Sequence, residues 1–465
     1  MSKPSYLIDR RLVLKGAGSA IAAAATTATL PQLGLAQPRP DAVLLTISDL
    51  HAPYSRLPNL LATIRRLRNQ TKVPTALLIN GDIFERGNVV CLRSGGEADW
   101  TLLELLAKEM PVVVNLGNHE TAIVDDMTTF LQRAGQAGVQ VISNLMDRRT
   151  GLFFAPVSTR LKLGQINIGL LGLATTNPFV YRTEVRDTLT FSDTTQFVDN
   201  VFKDAMADSD LNFIMSHAGL KADKSFLNSL PKGTVVQGGH DHLDLDLLHN
   251  DVRYFHGSSW GTKIGVVSLN KAQDGIETSY RTERVEVGLA QEESVLAEII
   301  DAQKSRHLTV EDRQIITSVP NSLDLHHSIL LATEAMRRAT DADLAMIGHT
   351  SFGAPLSMGP LTRYDFNAFV RFGGGLKVAS VPGQTLMKIL NRANQFAATS
   401  LENRSGDYVH VADVDLDAGK TYRLAVNAWT GINQQAYLGT TDLKFDDVQG
   451  LELKAVIADY LQTAF

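Results

Sequence analysis

Five short apolar runs recur in the first half of this chain, and each stops on polar residues. They are AVLLTISDLH at 42–51, TALLINGD at 75–82, PVVVNLGNHE at 111–120, LNFIMSHAG at 211–219 and GTVVQGGHDH at 233–242. Runs this short and this rich in β-branched residues suit strands buried on both faces. Between them lie segments of helical period such as LPNLLATIRRLRNQ, which places Leu57, Leu60, Leu61, Ile64 and Leu67 on one side. The alternation predicts an α/β fold.

The run ends carry the chemistry. They present Asp49 and His51, then Asp82, then Asn118 and His119, then His217, then His240 and His242. In an open α/β sheet, ligands gather outside the carboxyl ends of strands, so five loops can bring these side chains to one centre. His240 and His242 would point to opposite faces of a strand, so the pattern predicts a turn there. Taken singly, an Asp or Asn after a strand is most often a helix cap or turn former. Taken together they are harder to dismiss: seven of the twelve histidines fall between His51 and His256, and five of those seven end a run.

Imidazole, carboxylate and amide donors without a thiolate suit zinc, manganese, iron or cobalt. Leaving His119 aside, seven candidate ligands are too many for one such ion and suit two that share a carboxylate. Paired ions roughly 3.5–4 Å apart clamp the oxygens of a transferring phosphoryl group, which predicts phosphoester hydrolysis.

The chain has 465 residues, 44% of them apolar and 20% charged, an ordinary globular mixture for two or three domains. A net charge of −6 offers no electrostatic case for binding a nucleic-acid polymer or an anionic membrane. Cys91 stands alone, so no intrachain disulfide forms. Arg10 and Arg11 open RRLVLK, followed by a mild apolar stretch to Leu30, Pro31 and a small-x-small site at Gly34–Ala36. This reads as a twin-arginine export signal over 1–36, with the twin-arginine machinery as partner and the periplasm as destination. The alternative, an uncleaved anchor, falls short of the roughly 18–20 apolar residues of a span, so no stable membrane insertion is expected.

DLH at 49–51, NGD at 80–82, GNHE at 117–120, SHAG at 216–219 and GGHDH at 238–242 resemble, in order, the motif blocks of calcineurin-like metallophosphoesterases. YFHGSSWGTKIGVVSL at 254–269 is similar to the segment that closes this domain in the bacterial 5′-nucleotidase branch. The resemblance implies Asp49, His51 and His242 as ligands of one ion and Asn118, His217 and His240 as ligands of the other, with Asp82 bridging. It places Asn118 and His119 at the substrate, with His119 contacting the phosphate and stabilising or protonating the departing oxygen. Members of that branch hold this histidine with an aspartate three residues later. Here that position is Ala122, which leaves Asp125 or Asp126 as candidates.

After about residue 285 the chain turns acidic and helical, with Val295, Leu296, Ile299 and Ile300 as an apolar stripe. Residues 286–324 read as a linker between a phosphoesterase domain at 37–285 and a second domain at 325–465. The second part resembles the 5′-nucleotidase C-terminal domain, in which two aromatic rings sandwich a nucleobase and arginines hold the substrate. By position, Phe372 and Trp429 are the stacking pair; core packing is the competing reading for both. Gly353 stands where an arginine is usual, and NQQAY at 433–437 puts Gln435 where an aspartate is usual, leaving Arg363 and Arg371 to supply charge from elsewhere or to serve at the surface.

The resulting expectation is a metallophosphatase β-sandwich flanked by helices, joined by a helix to a smaller α/β domain. Its implied activity is that of an exported dimetal hydrolase of small phosphomonoesters, foremost 5′-nucleotides, with a metal-bound hydroxide attacking phosphorus. Alternatives are a phosphodiesterase or thiosulfohydrolase-like hydrolase of the same architecture, or a binding protein that has lost the reaction. The complete ligand set argues against the last, since such side chains are expensive to bury.

Overall fold

Strands Ala42–Ser48, Thr75–Asn80, Val112–Asn115 and Gln140–Ile142 pair in parallel, as their doubly apolar runs require. Lys263–Ala272 and Gly275–Arg284 extend the same sheet antiparallel, to six strands. A second six-stranded sheet has Val252–Gly257, Val235–Gly238, Leu211–His217 and Ile166–Ala174 parallel at its centre, with antiparallel strands Asp244–His249 and Ser158–Leu163 at its edges. The computed structural model from which these elements are drawn describes residues 39–287, 294–396 and 400–465, and the expected export signal lies outside them.

The two sheets pack face to face. Leu44, Leu78, Val113 and Ile142 of the first meet Ile168, Leu170, Phe213, Met215 and Phe255 of the second. Because strand side chains alternate, Leu45, Ile47, Leu77 and Ile79 face outward and are covered by Leu57, Leu60, Leu61 and Ile64 of the helix Leu57–Thr71. Helices Thr194–Ala205 and Leu220–Phe226 cover the outer face of the second sheet in the same way. This is the sandwich flanked by helices.

Strand register brings the run ends level. Ser48 lies opposite Asn80, Asn80 opposite Asn115, and in the other sheet Ser216 lies opposite Gly238. Three buried amides then tie one sheet to the other. Asn80 Nδ2 donates to the carbonyls of Ser216 (2.8 Å) and Gln237 (3.0 Å), Asn115 Nδ2 donates to that of Leu173 (2.8 Å), and Gln237 Nε2 donates to that of Ile47 (2.8 Å). Leaving one such buried group unpaired costs about 1–3 kcal/mol, so the spacing between the two sets of loops is firmly held.

Helix Ser294–His307 buries Leu296 and Ile300 against the first half, whereas Val295 is 56% exposed. The stripe is therefore narrower than the sequence pattern suggests: Val295, in the first turn, faces solvent, and Ile299 one turn on is only partly buried. The range 286–324 also takes in a strand, Ile315–Val319, which pairs antiparallel with Gly359–Thr362 of the second half. Beyond it, five strands run in the spatial order Val409–His410, Leu344–Gly348, Thr421–Asn427, Gly375–Pro382, Asp446–Glu452. Helices Leu325–Ala339 and Leu453–Ala464 pack on one face of this sheet and Gly383–Leu390 on the other. Residues 40–465 form one compact unit, and no helix among the described residues is long and apolar enough to cross a membrane.

Candidate metal centre

The loops that leave the level strand ends are held in an unusual backbone state. Asp49, His51, Asp82, His240 and His242 all have left-handed φ values, between 51° and 75°. Residues with a side chain rarely adopt this region, and each such position costs of order 1–3 kcal/mol. The chain accepts that cost at five of the eight run-end positions. Gly117 shows how tightly the loops pass one another: a Cβ there would lie 2.3 Å from Asp82 Oδ1 and 2.9 Å from His217 Nε2.

Two sets of donors result. Asp49, His51 and His242 form one cluster and Asp82, His217 and His240 the other, each with its ligand atoms within 4.8 Å of one another. The His51 and His242 Nε2 atoms are 2.8 Å apart, and both imidazoles point into the same space. Asp82 stands between the clusters, with Oδ2 3.3 Å from His217 Nε2 and 3.7 Å from His51 Nε2. Asn118 joins the second set through Oδ1, 3.0 Å from His240 Nδ1, while its Nδ2 donates to the Val180 carbonyl.

Outer contacts orient the rings, as metal-binding histidines require. His217 Nδ1 donates to the Asn80 carbonyl at 2.7 Å, and His51 Nδ1 faces Glu85 Oε2 at 3.3 Å. Both leave Nε2 turned inward. His217 Nε2 is buried there and aimed at the Asp82 and Asp49 carboxylates, 3.3 and 3.8 Å away.

Electrostatics agree. Burial, reinforced by the Arg371 charge, lowers His51 to about 4; burial, reinforced by His217, lowers His240 to about 3; and burial holds His242 well below the usual imidazole range. Burial would also lower His217, but the Asp82 and Asp49 carboxylates outweigh it and raise that ring to about 10. Burial pushes Asp49 up to about 7 against the pull of His217, while at Asp82 burial is overcome by His217 and His119 and the carboxyl stays well below the usual range. Buried carboxylates that draw a proton onto a neighbouring imidazole mark a place that wants positive charge. Neutral imidazoles, carboxylates and an amide oxygen around it fit divalent ions of the zinc or manganese type.

His119 lies at the edge of this centre. Its backbone N–H donates to Asp82 Oδ1 at 2.7 Å, and its side chain is 17% exposed. Neither proposed aspartate reaches it. Asp126 caps the helix Met127–Gln136 by accepting from the Thr128 N–H, and it also binds Arg149; Asp125 is paired with Arg182 at 3.0 Å and its side chain is 86% exposed. Both carboxylates are committed to the start of that helix and its neighbours. Glu85 comes close instead, with Oε2 3.6 Å from His119 Nδ1.

The same structure separates the two arginines. Arg371 is only 6% exposed and enters from the second half, donating to Glu85 Oε2 through Nε (3.0 Å) and Nη2 (2.6 Å). Trp260 and Phe372 flank its guanidinium at 5.3 and 5.0 Å. Burial would raise the Glu85 carboxyl, and Arg371 and His119 hold it well below its ordinary value. His51, Glu85 and His119 also approach ligand spacing, but the guanidinium supplies the positive charge there. Arg363 is exposed near Glu311 and does not line the site. A side chain at position 353 has no room: a Cβ on Gly353 would sit 2.5 Å from the Trp260 ring.

A cleft of about 480 Å³ opens from the metal end between the two halves. Its lining includes Asp82, Asn118, His119, His240 and His242 from the first half and Phe372, Asn427, Trp429, Asn433 and Tyr437 from the second. Phe372 and Trp429 are 48% and 46% exposed, so neither is a core residue. Trp429 Nε1 donates to the Tyr437 hydroxyl at 3.2 Å, which fixes the indole plane at the wall. Gln435 is exposed and does not line the cleft, whereas Asp407, from a different loop, does. Glu85, Trp260 and Asp407 were not read from the sequence. For Glu85 the available signal was an acidic residue three places after Asp82 in NGDIFERG.

Comparison with known proteins adds two family matches. Residues 42–252 match the calcineurin-like phosphoesterase family and residues 316–438 the 5′-nucleotidase C-terminal domain. No curated protein matches the chain. Among solved structures, the fold is shared with a 5′-nucleotidase precursor from Thermus thermophilus (18% identity, TM-score 0.59, covering 91% of this chain and 96% of that one). The sulfate thiohydrolase SoxB of Thermus thermophilus gives 16%, 0.64, 92% and 95%, and a 5′-nucleotidase from Candida albicans gives 12%, 0.60, 91% and 98%.

Proposed function

We propose that this chain, which carries a calcineurin-like phosphoesterase domain followed by a 5′-nucleotidase C-terminal domain, is an exported hydrolase of small phosphomonoesters with 5′-nucleotides as its foremost substrates. The first domain makes it a metal-dependent phosphoester hydrolase. The observation that carries the narrower reading is the cleft, whose lining combines candidate metal ligands from the first half with two half-exposed aromatic rings from the second.

Asp49, His51 and His242 would hold one divalent ion and Asn118, His217 and His240 a second, with Asp82 shared. Bound there, such ions supply Lewis acidity toward phosphoryl oxygens and lower the pKa of water. His119, fixed by its backbone to Asp82, presents its ring to the cleft, where it hydrogen-bonds or protonates the departing oxygen. Phe372 and Trp429 offer faces to a base, and Asn433, Asp407 and Tyr437 offer hydrogen bonds to sugar hydroxyls. Export rests on Arg10 and Arg11 and on the apolar stretch after them.

The test is phosphate release by metal-loaded protein from 5′-nucleotides, 3′-nucleotides, cyclic nucleotides and an aryl phosphate, with chelator-treated controls. Chelator-sensitive release preferring 5′-nucleotides is expected. Turnover of the aryl ester alone would overturn the nucleotide assignment, and chelator-insensitive release would overturn the metal assignment. For export, replacing Arg10 and Arg11 by lysine should retain the protein in the cytoplasm; unchanged delivery would refute the twin-arginine route.

A further inference from the structure

His240 and His242 sit one residue apart with left-handed φ values of 75° and 54°, so the peptide groups of their turn must be held from outside it. Three of the holds come from the first half. Asp49 Oδ1 accepts from the His240 N–H at 2.8 Å, Asp241 Oδ2 accepts from the Leu220 N–H at 2.5 Å, and the Leu243 carbonyl accepts from the Ser258 N–H at 2.9 Å. The fourth comes from the second half: His349 Nε2 donates to the Asp241 carbonyl, between the two histidines, at 2.9 Å. Among the described residues no other donor reaches that carbonyl. His349 follows the strand Leu344–Gly348 and is 5% exposed, and its ring stacks on Tyr408 at 4.1 Å and 13°. Its Nδ1 lies 3.4 Å from the Tyr408 backbone nitrogen and 3.2 Å from the Tyr408 carbonyl. Burial lowers the pKa of this ring against the pull of Asp407, which keeps it neutral. The shorter contact, to a carbonyl that can only accept, then places the ring's proton on Nε2.

We propose that His349 is the positioning residue of the His240–His242 turn, through its Nε2–H bond to the Asp241 carbonyl, and that the second half thereby sets how tightly the first half holds metal. The segments that carry His349 and Tyr408 also line the cleft, through Thr350, Ser351 and Asp407, so the wall that would meet a substrate is continuous with the clamp on the ligand turn. Outer contacts of this kind fix the direction in which a ligand points, and losing one weakens metal binding about 10–100-fold. The inference rests on the metal-centre reading of His240 and His242 and is independent of the substrate.

The experiment measures Co²⁺ binding to the metal-free full chain, by calorimetry and by the visible spectrum of the bound ion, in wild type, His349→Gln and His349→Phe. The glutamine variant keeps a donor near the position of Nε2 but loses the stacked ring, whereas the phenylalanine variant keeps the ring and leaves the Asp241 carbonyl unpaired. If the hydrogen bond positions the turn, His349→Phe weakens Co²⁺ binding about tenfold or more and alters the spectrum, while His349→Gln stays within about threefold of wild type with the wild-type bands. Equal losses in the two variants, the reverse order, or unchanged binding in His349→Phe would overturn the proposal. Ring ¹⁵N spectra of the wild-type chain give an arm that needs no variant to fold: a proton on His349 Nε2 supports the proposal, and a bare Nε2 overturns it. Wild type that binds no Co²⁺ would overturn the metal reading together with this proposal. Wild type that binds two equivalents, beside an unaffected His349→Phe variant, would overturn the proposal alone.

Discussion

The two sides of the cleft are built by opposite rules. At the metal end every side chain leaves the end of a buried strand, is closed off from water or nearly so, and is braced by partners such as Asn80 and Glu85. On the side of the second half Phe372, on a loop, and Trp429, on the short helix Ala428–Ile432, stand half exposed. Where donors share one small volume, a single change disturbs all of them. Where side chains of a wall stand half exposed, they are free to change and the substrate with them.

Asp82→Ala should break this contrast most severely. It removes the carboxylate that stands between both clusters, and we expect loss of bound metal and of nearly all turnover; metal analysis showing full content with intact turnover would refute the shared position. His119→Ala should leave metal content unchanged and lower kcat by about 100-fold, as for a lost acid or electrostatic group, and unchanged turnover would take His119 out of the mechanism. Trp429→Ala should raise KM for 5′-nucleotides about tenfold, from lost stacking, while leaving hydrolysis of glycerol phosphate untouched; equal effects on both would make the indole structural. The smallest effect belongs to Asp126→Ala. It should cost about 1 kcal/mol of stability through the lost helix cap, measurable by denaturant unfolding, with kcat within about twofold of wild type.

The same contrast explains what the sequence made legible. The sandwich and the convergence of its run ends were readable because parallel strands buried on both faces leave continuous apolar runs, and the loops that can bear a site lie where those runs end. His240 and His242, one residue apart, required the turn that the structure places at 239–243. Glu85 and Arg371 were not legible as a pair, because they lie 286 positions apart and meet only when the second half packs on the first. Asp125 and Asp126 looked suitable by distance along the chain, but proximity in sequence does not reveal that one carboxylate is spent on a cap and the other faces solvent. Val295 was misplaced for a simpler reason: an apolar residue beside a helical stripe need not belong to it.

The central claim is that two divalent ions sharing Asp82 act on a phosphomonoester held in the cleft. Its most direct test is titration of metal-free protein with Mn²⁺ while following both bound metal and phosphate release from adenosine 5′-monophosphate. The account predicts two equivalents bound per chain, with turnover rising as the second site fills. Full turnover at one equivalent, or release that persists in the metal-free protein, would contradict it.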